Sequence, residues 1–201
     1  LKTYRSRRDL LSKIDQVLSS NVPTRRRSPL QQVVEVLHEG RHYFWIGIYF
    51  LVGNQVVRQV FRGPMPPCHS FALGVGNVGT TGRNGVMKVV PDVSQDPTYS
   101  MCFFDTKSEI VVPIKLVQRI FGVIDVESDR LNAFPPGERV LLKQVAERLA
   151  RFLAVRGKYL LRRAREQAEE KTADAVQRGH QPASEKIMEA RRAAAGERSR
   201  R

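Results

Sequence analysis

Long apolar runs are missing from this chain. Nothing in its 201 residues approaches eighteen consecutive apolar positions, which excludes a membrane-spanning helix. Cysteine is scarce. Cys68 and Cys102 are the only two, too few for a disulfide scaffold or for a structural zinc site built on thiolates. The first thirty residues are basic but have neither an apolar stretch nor a small-residue cleavage site. No secretory signal is therefore expected, and a cytoplasmic, reducing location is. Acidic residues are few: 20 Asp and Glu stand against 34 Lys and Arg, a net charge of +14. A hydrophobic content of 41% still suffices for one domain with a real core, and hardly for two.

The excess positive charge is concentrated at the ends. Residues 1–30 hold 8 basic and 2 acidic side chains, residues 158–201 hold 12 and 7, and residues 31–157 hold 14 and 11. A dedicated nucleic-acid-binding domain would carry its basic stripe on the folded body, so that class is disfavoured. The flanks retain the ability to touch polyanions without sequence preference. Three segments follow from these shifts: a basic helical lead over 1–29, a folded domain over 30–157, and a basic, helical or disordered tail over 158–201. Residues 183–201 are Ala, Arg and Glu with too little apolar mass to pack.

Leu10, Leu11, Ile14 and Leu18 give residues 3–19 a helical period. Ser28-Pro29-Leu30-Gln31 reads as a second helix start, with Ser28 at the N-cap and Gln31 reaching back, and Gly40 supplies the stop. Strands are predicted over Tyr43–Leu51 and Gln55–Phe61 around a Gly53-Asn54 turn, then over Cys68–Leu73, Met87–Val90, Glu109–Leu116 and Arg119–Ser128. Gly74–Gly85 has five glycines and room for a single short helix. Pro91–Lys107 is a long irregular loop, of the kind that compact domains keep for function. From Pro135 a long helix presents Leu142, Val145, Leu149, Phe152 and Leu153 on one face, with Leu160 and Ala164 as an extension. Helices segregate from hairpin-linked strands, so the fold class is α+β with an antiparallel sheet.

Two short motifs are set aside. His38-Glu39-Gly40-Arg41-His42 fits the zinc-protease pattern H-E-x-x-H, but Gly40 interrupts the helix that must present both histidines. No metal is expected. Gly74-Val75-Gly76-Asn77-Val78-Gly79 fits G-x-G-x-x-G, but the glycines after it leave no room for a dinucleotide-binding helix, so a turn shaping a pocket wall is expected. No organic cofactor is implied.

Strand alternation supplies the positive signal. Trp45, Gly47 and Tyr49 share one face, with Phe44, Ile46, Ile48 and Phe50 on the core face. Phe121, Val123, Asp125 and Glu127 share a face of the last strand, and Glu109 lies on the face of Val111. These carboxylates either face water or bind an ammonium group beside aromatic rings. Cys68 and Cys102 each sit in a loop, and are either small apolar residues or, where a thiol pKa is lowered, nucleophiles.

Several linked segments resemble a GAF domain: Gly74–Gly82, Val89–Tyr99, Ser108–Pro113, Phe121–Ser128 and Asn132-Ala133-Phe134. The resemblance implies a six-stranded antiparallel sheet with helices packed on one face, a small-molecule pocket on the other and a long C-terminal helix. Trp45-Ile46-Gly47-Ile48-Tyr49 is similar to the aromatic motif of the free methionine-(R)-sulfoxide reductase branch. On that resemblance Cys102 falls at the catalytic cysteine and Cys68 at a resolving cysteine. Glu109, Asp125 and Glu127 fall at the substrate carboxylates, and Trp45 and Tyr49 line the pocket. Val78 stands where that family usually has a further cysteine, Glu127 where it has Asp, and the Met101-Cys102-Phe103-Phe104 loop is more apolar than the family's.

What the resemblance implies is a thiol/disulfide reductase of a small amino-acid-like ligand, reset by a thioredoxin-type dithiol. The alternative is a non-enzymatic GAF sensor that binds a small ligand and forms a homodimer through its terminal helices, although Arg156 interrupts the apolar seam such a rod would use.

Overall fold

The computed structural model describes residues 4–20, 28–41 and 43–177. The lead forms α1 (Arg7–Ser19), whose N-cap Ser6 accepts the Asp9 N–H, and buries Leu10, Ile14 and Leu18 at a four-residue period. α2 (Pro29–Gly40) starts as expected, with the Ser28 hydroxyl accepting the Gln31 N–H at 3.1 Å. The Gln31 side chain does not reach back. Its amide donates instead to Glu35 and to the Phe61 carbonyl, tying the helix to the sheet. His42 of the discounted zinc motif lies outside the described residues, and α2 ends two residues before it.

Six strands follow: β1 (Trp45–Val52), β2 (Gln55–Arg62), β3 (Ser70–Ala72), β4 (Lys88–Val90), β5 (Ser108–Leu116) and β6 (Arg119–Ser128). They make one sheet in the order β3-β2-β1-β6-β5-β4, with every neighbouring pair antiparallel. A short helix, α3 (Gly76–Asn84), joins β3 to β4. α4 (Pro136–Arg156) is the long C-terminal helix. It stops at Gly157, whose N–H bonds the Leu153 carbonyl, and the chain resumes as α5 (Lys158–Gln177), which packs against β1 and β2. Leu160 and Ala164 therefore belong to a separate helix, and Ala164 is buried in the core.

One core lies between α1, α2, α4 and one sheet face, and includes Leu10, Val33, Ile46, Phe50, Ile124 and Leu149. A second, smaller cluster on the opposite face holds Trp45, Tyr49, Val56, Cys68, Phe71 and Val111. Two expectations about faces are corrected. Phe44 precedes β1 and packs edge-on against Phe103 on the second face, 5.5 Å between centroids, not in the main core. Phe121 joins the helix-side core, because the β5–β6 register shifts between Ile114 and Lys115 and a single extra residue reverses the side on which it points.

The helix α3 is the single short helix expected within Gly74–Gly85. It forms inside the motif, because its glycines let the backbone pack closely. A Cβ at Gly79 would lie 2.1 Å from the Ala72 carbonyl oxygen. The parallel partner strand that a dinucleotide site needs is absent from this antiparallel sheet.

A buried polar knot secures the lead to the body. Arg41 Nε lies 3.0 Å from Glu138 Oε1, Tyr43 donates to Glu138 Oε2 at 2.6 Å, and the Arg41 guanidinium stacks 4.1 Å over the Tyr4 ring. No helix among the described residues is long and apolar enough to cross a membrane.

Candidate functional site

The second sheet face carries the chemistry-bearing residues. Antiparallel pairing sets Trp45 opposite Glu127, Gly47 opposite Asp125 and Glu109 opposite Glu127. One carboxylate oxygen from each of Glu109, Asp125 and Glu127 lies within 4.8 Å of the other two. All three side chains are buried, at 2–3% exposure, so the water-facing alternative is excluded. Among the described residues this is the group able to surround a cation, whether an organic ammonium or a metal ion.

Such crowding cannot be ionised cheaply. Burial and the charge of Glu127 push the Glu109 carboxyl up to about 8, against a bond from Asn77. Burial raises Glu127 to about 7, with Thr106 and Tyr99 opposing. Asp125 is raised well above the carboxylate range by burial and then by both neighbours. The partners are neutral donors. Asn77 Nδ2 donates to Glu109 Oε2 at 2.5 Å, Tyr99 donates to Glu127 Oε2 at 3.3 Å, and Thr106 donates to the same oxygen. Asp125 Oδ1 and the Trp45 indole nitrogen are buried without a hydrogen-bond partner.

The aromatic wall adjoins the carboxylates. Trp45 and Tyr49 are fully buried, 6.3 Å apart by centroids, and Trp45 also stacks on Phe61 at 6.2 Å. Burial and the Asp125 charge keep the Tyr49 phenol neutral. Gly47 does not leave an open space between the two rings. The Trp45 ring fills it, and a Cβ at Gly47 would sit 2.2 Å from a ring carbon.

Cys68 and Cys102 are joined in a disulfide with Cα atoms 5.9 Å apart. The bond links the Pro-rich loop before β3 to the long loop before β5, and both half-cystines adjoin the aromatic cluster. That second loop is fastened to the carboxylates on both sides of Cys102. Upstream, the Thr98 hydroxyl lies 2.9 Å from Asn77 Oδ1 and 2.7 Å from Asp96 Oδ1, and accepts from Lys88 at 2.7 Å. Lys88 pairs with Asp96 at 2.9 Å. Burial works against the Asp96 carboxylate, but the bonds from Thr98 and Lys88 hold it down at about 2. Tyr99 and Thr106 complete the attachment.

The structure thus brings together the seven residues singled out from sequence on one sheet face. Asn77, Lys88, Asp96, Thr98, Tyr99 and Thr106 escaped sequence reasoning. Only the Asp96-Pro97-Thr98 turn offered a local signal, since the Asp96 side chain accepts the Thr98 N–H at 2.9 Å.

A six-stranded antiparallel sheet with helices on one face and a buried polar-aromatic cluster on the other defines an α+β domain of the GAF architecture. The chain belongs to the GAF domain family, whose model matches residues 26–153. It is 36% identical over 121 residues to GAF domain-containing protein A of Dictyostelium discoideum, covering 60% of this chain and 76% of that one. It is 28% identical over 110 residues to the free methionine-R-sulfoxide reductase of Escherichia coli, covering 55% and 66%. Among solved structures it is similar to the free methionine-R-sulfoxide reductase of Neisseria meningitidis in complex with its substrate. That match has 27% identity and a TM-score of 0.68, and covers 84% of this chain and 98% of the other.

Proposed function

We propose that this chain reduces free L-methionine-(R)-sulfoxide by thiol/disulfide chemistry. The observation that carries the reading is the pairing of the chain's two cysteines beside a buried carboxylate triad and an aromatic wall. The reductases among its relatives and structural neighbours favour the same reading.

In this reading the substrate ammonium enters among Glu109, Asp125 and Glu127 and donates to the unpartnered Asp125 oxygen. Charge-assisted bonds of this kind are about twice as strong as neutral ones. Trp45 and Tyr49 pack the substrate side chain. The Cys102 thiolate attacks the sulfoxide sulfur, the sulfoxide oxygen passes to Cys102 as a sulfenic acid, and methionine leaves. Cys68 then attacks that sulfur, the S–S bond forms, and water departs. Methionine sulfoxide gains two electrons and the two thiols lose them. Val78 in place of a third cysteine leaves one resolving thiol, which this stoichiometry needs and no more. A cytoplasmic setting supplies the reductant that reopens the bond.

Turnover of free L-methionine-(R)-sulfoxide with dithiothreitol tests the reading. Wild type turns over, Cys102→Ser is inert, and Cys68→Ser turns over more slowly, because dithiothreitol must then reduce the Cys102 sulfenic acid directly. Full activity in Cys102→Ser rules the mechanism out, and an inert wild type rules out the activity.

A further inference from the structure

The surface beside the Cys68–Cys102 bond is unusually apolar. Met101 is 56% exposed, Phe104 95% and Met65 74%. They lie one and two residues from Cys102 and three from Cys68. Phe103, between two of them, packs into the aromatic cluster, so the loop turns one ring inward and the next outward. Apolar side chains left in water beside a reactive bond mark a contact site, and methionine suits a surface that a partner reshapes. Cys68 is buried while Cys102 is partly exposed, so an outside thiol reaches the Cys102 sulfur first. The Cys68 side of the rim is positive. Residues 58–69 carry Arg58 and Arg62 and no acid, Arg58 holds the Cys68 carbonyl at 2.7 Å, and on the other loop Asp105 and Lys107 offset each other.

We propose that Met65, Met101 and Phe104 form the docking rim for a dithiol protein that reopens the Cys68–Cys102 bond. The partner fits this rim if it carries an apolar collar around its attacking thiol and acidic residues beyond it. The need for such a partner rests on the reductase reading above. In the exchange, the partner's thiolate bonds to Cys102 Sγ, the Cys68–Cys102 bond breaks, and Cys68 leaves as a thiolate that takes a proton from water. The partner's second thiol, once deprotonated, attacks its own sulfur in the mixed disulfide and releases the Cys102 thiolate. The partner ends as a disulfide, two electrons poorer, and this chain holds two thiols.

The test follows reduction of the oxidised full chain by a thioredoxin and, separately, by dithiothreitol, with no sulfoxide present. In Met101→Ser/Phe104→Ser the second-order rate constant with thioredoxin is expected to fall at least tenfold, and that with dithiothreitol to stay within twofold. The wild-type rate with thioredoxin is expected to fall as salt rises. An unchanged thioredoxin rate in the variant overturns the proposal. So does an equal loss with both reductants, or a wild type reduced no faster by thioredoxin than by dithiothreitol. Met65→Ser, on the other loop, repeats the comparison without touching the Cys102 segment. Sulfoxide turnover driven by dithiothreitol runs alongside. Its absence overturns the reductase reading while leaving the docking measurement to stand or fall by itself.

Discussion

The ring of Trp45 occupies the space that a side chain at residue 47 would need, with the built Cβ 2.2 Å from a ring carbon. Gly47→Ala is therefore expected to displace the indole from its stack on Phe61. Overpacking of this kind costs about 1–3 kcal/mol. Urea denaturation reads the stability, and calorimetry with L-methionine is expected to show weaker binding at the same site.

The Thr98 hydroxyl beside Asn77 Oδ1 keeps the amide nitrogen of Asn77 directed at Glu109. Thr98→Val removes that restraint with little change of shape. A lost hydrogen bond of roughly 0.5–1.5 kcal/mol corresponds to a KM for the sulfoxide raised about 2- to 10-fold, with kcat nearly unchanged. Thr98→Ser should restore it. Equal losses in both variants would identify a purely structural role.

Glu109 is raised from 4.5 to about 8 and Glu127 from 4.5 to about 7, so between pH 4.5 and 8 the folded chain binds more protons than the unfolded one. The ligand-free protein should accordingly lose stability as pH rises through that window. A bound ammonium group displaces those protons, so affinity for L-methionine should increase from pH 6 to pH 8. Thermal melts and calorimetry across the window check both slopes, and Glu109→Gln should flatten them.

Val117, in the turn between β5 and β6, has a left-handed backbone at φ 55° and is 84% exposed. A β-branched residue there is strained by roughly 1–2 kcal/mol. Val117→Asn should raise stability by about 1 kcal/mol without altering sulfoxide turnover, since the turn lies at the opposite end of β5 and β6 from Glu109 and Glu127.

Removing one partner of a buried ion pair costs about 3–5 kcal/mol, because the other charge is stranded. Glu138→Gln leaves Arg41 in that position and should detach the N-terminal lead. Limited proteolysis near residue 20 would reveal it. An unchanged digestion pattern would show that Leu10, Ile14 and Leu18 hold α1 without the polar knot.

The site was legible in the sequence where a two-residue period governs. Trp45, Tyr49, Glu109, Asp125 and Glu127 reach the same face because extended strands alternate strictly. The period failed at Phe121, where one inserted residue leaves no mark in composition. The short helix α3 was legible from the stretch Gly74–Gly85, but its close approach to β3, where a Cβ at Gly79 would meet the Ala72 carbonyl oxygen, was not. Asn77, Thr98, Tyr99 and Thr106 were silent for another reason. Their bonds run from a helix and a loop to strands that only the finished fold brings near.

The cysteine bond spans 34 residues of sequence, and that span contains β3, α3, β4 and most of the loop fastened to the carboxylates. Closing a loop of this length removes about 4 kcal/mol of chain entropy from the unfolded state. If the proposed cycle holds, the domain thus resists unfolding most at the moment chemistry ends and least when substrate must enter. Each arriving reductant would loosen a whole flank of the domain, not only two sulfur atoms.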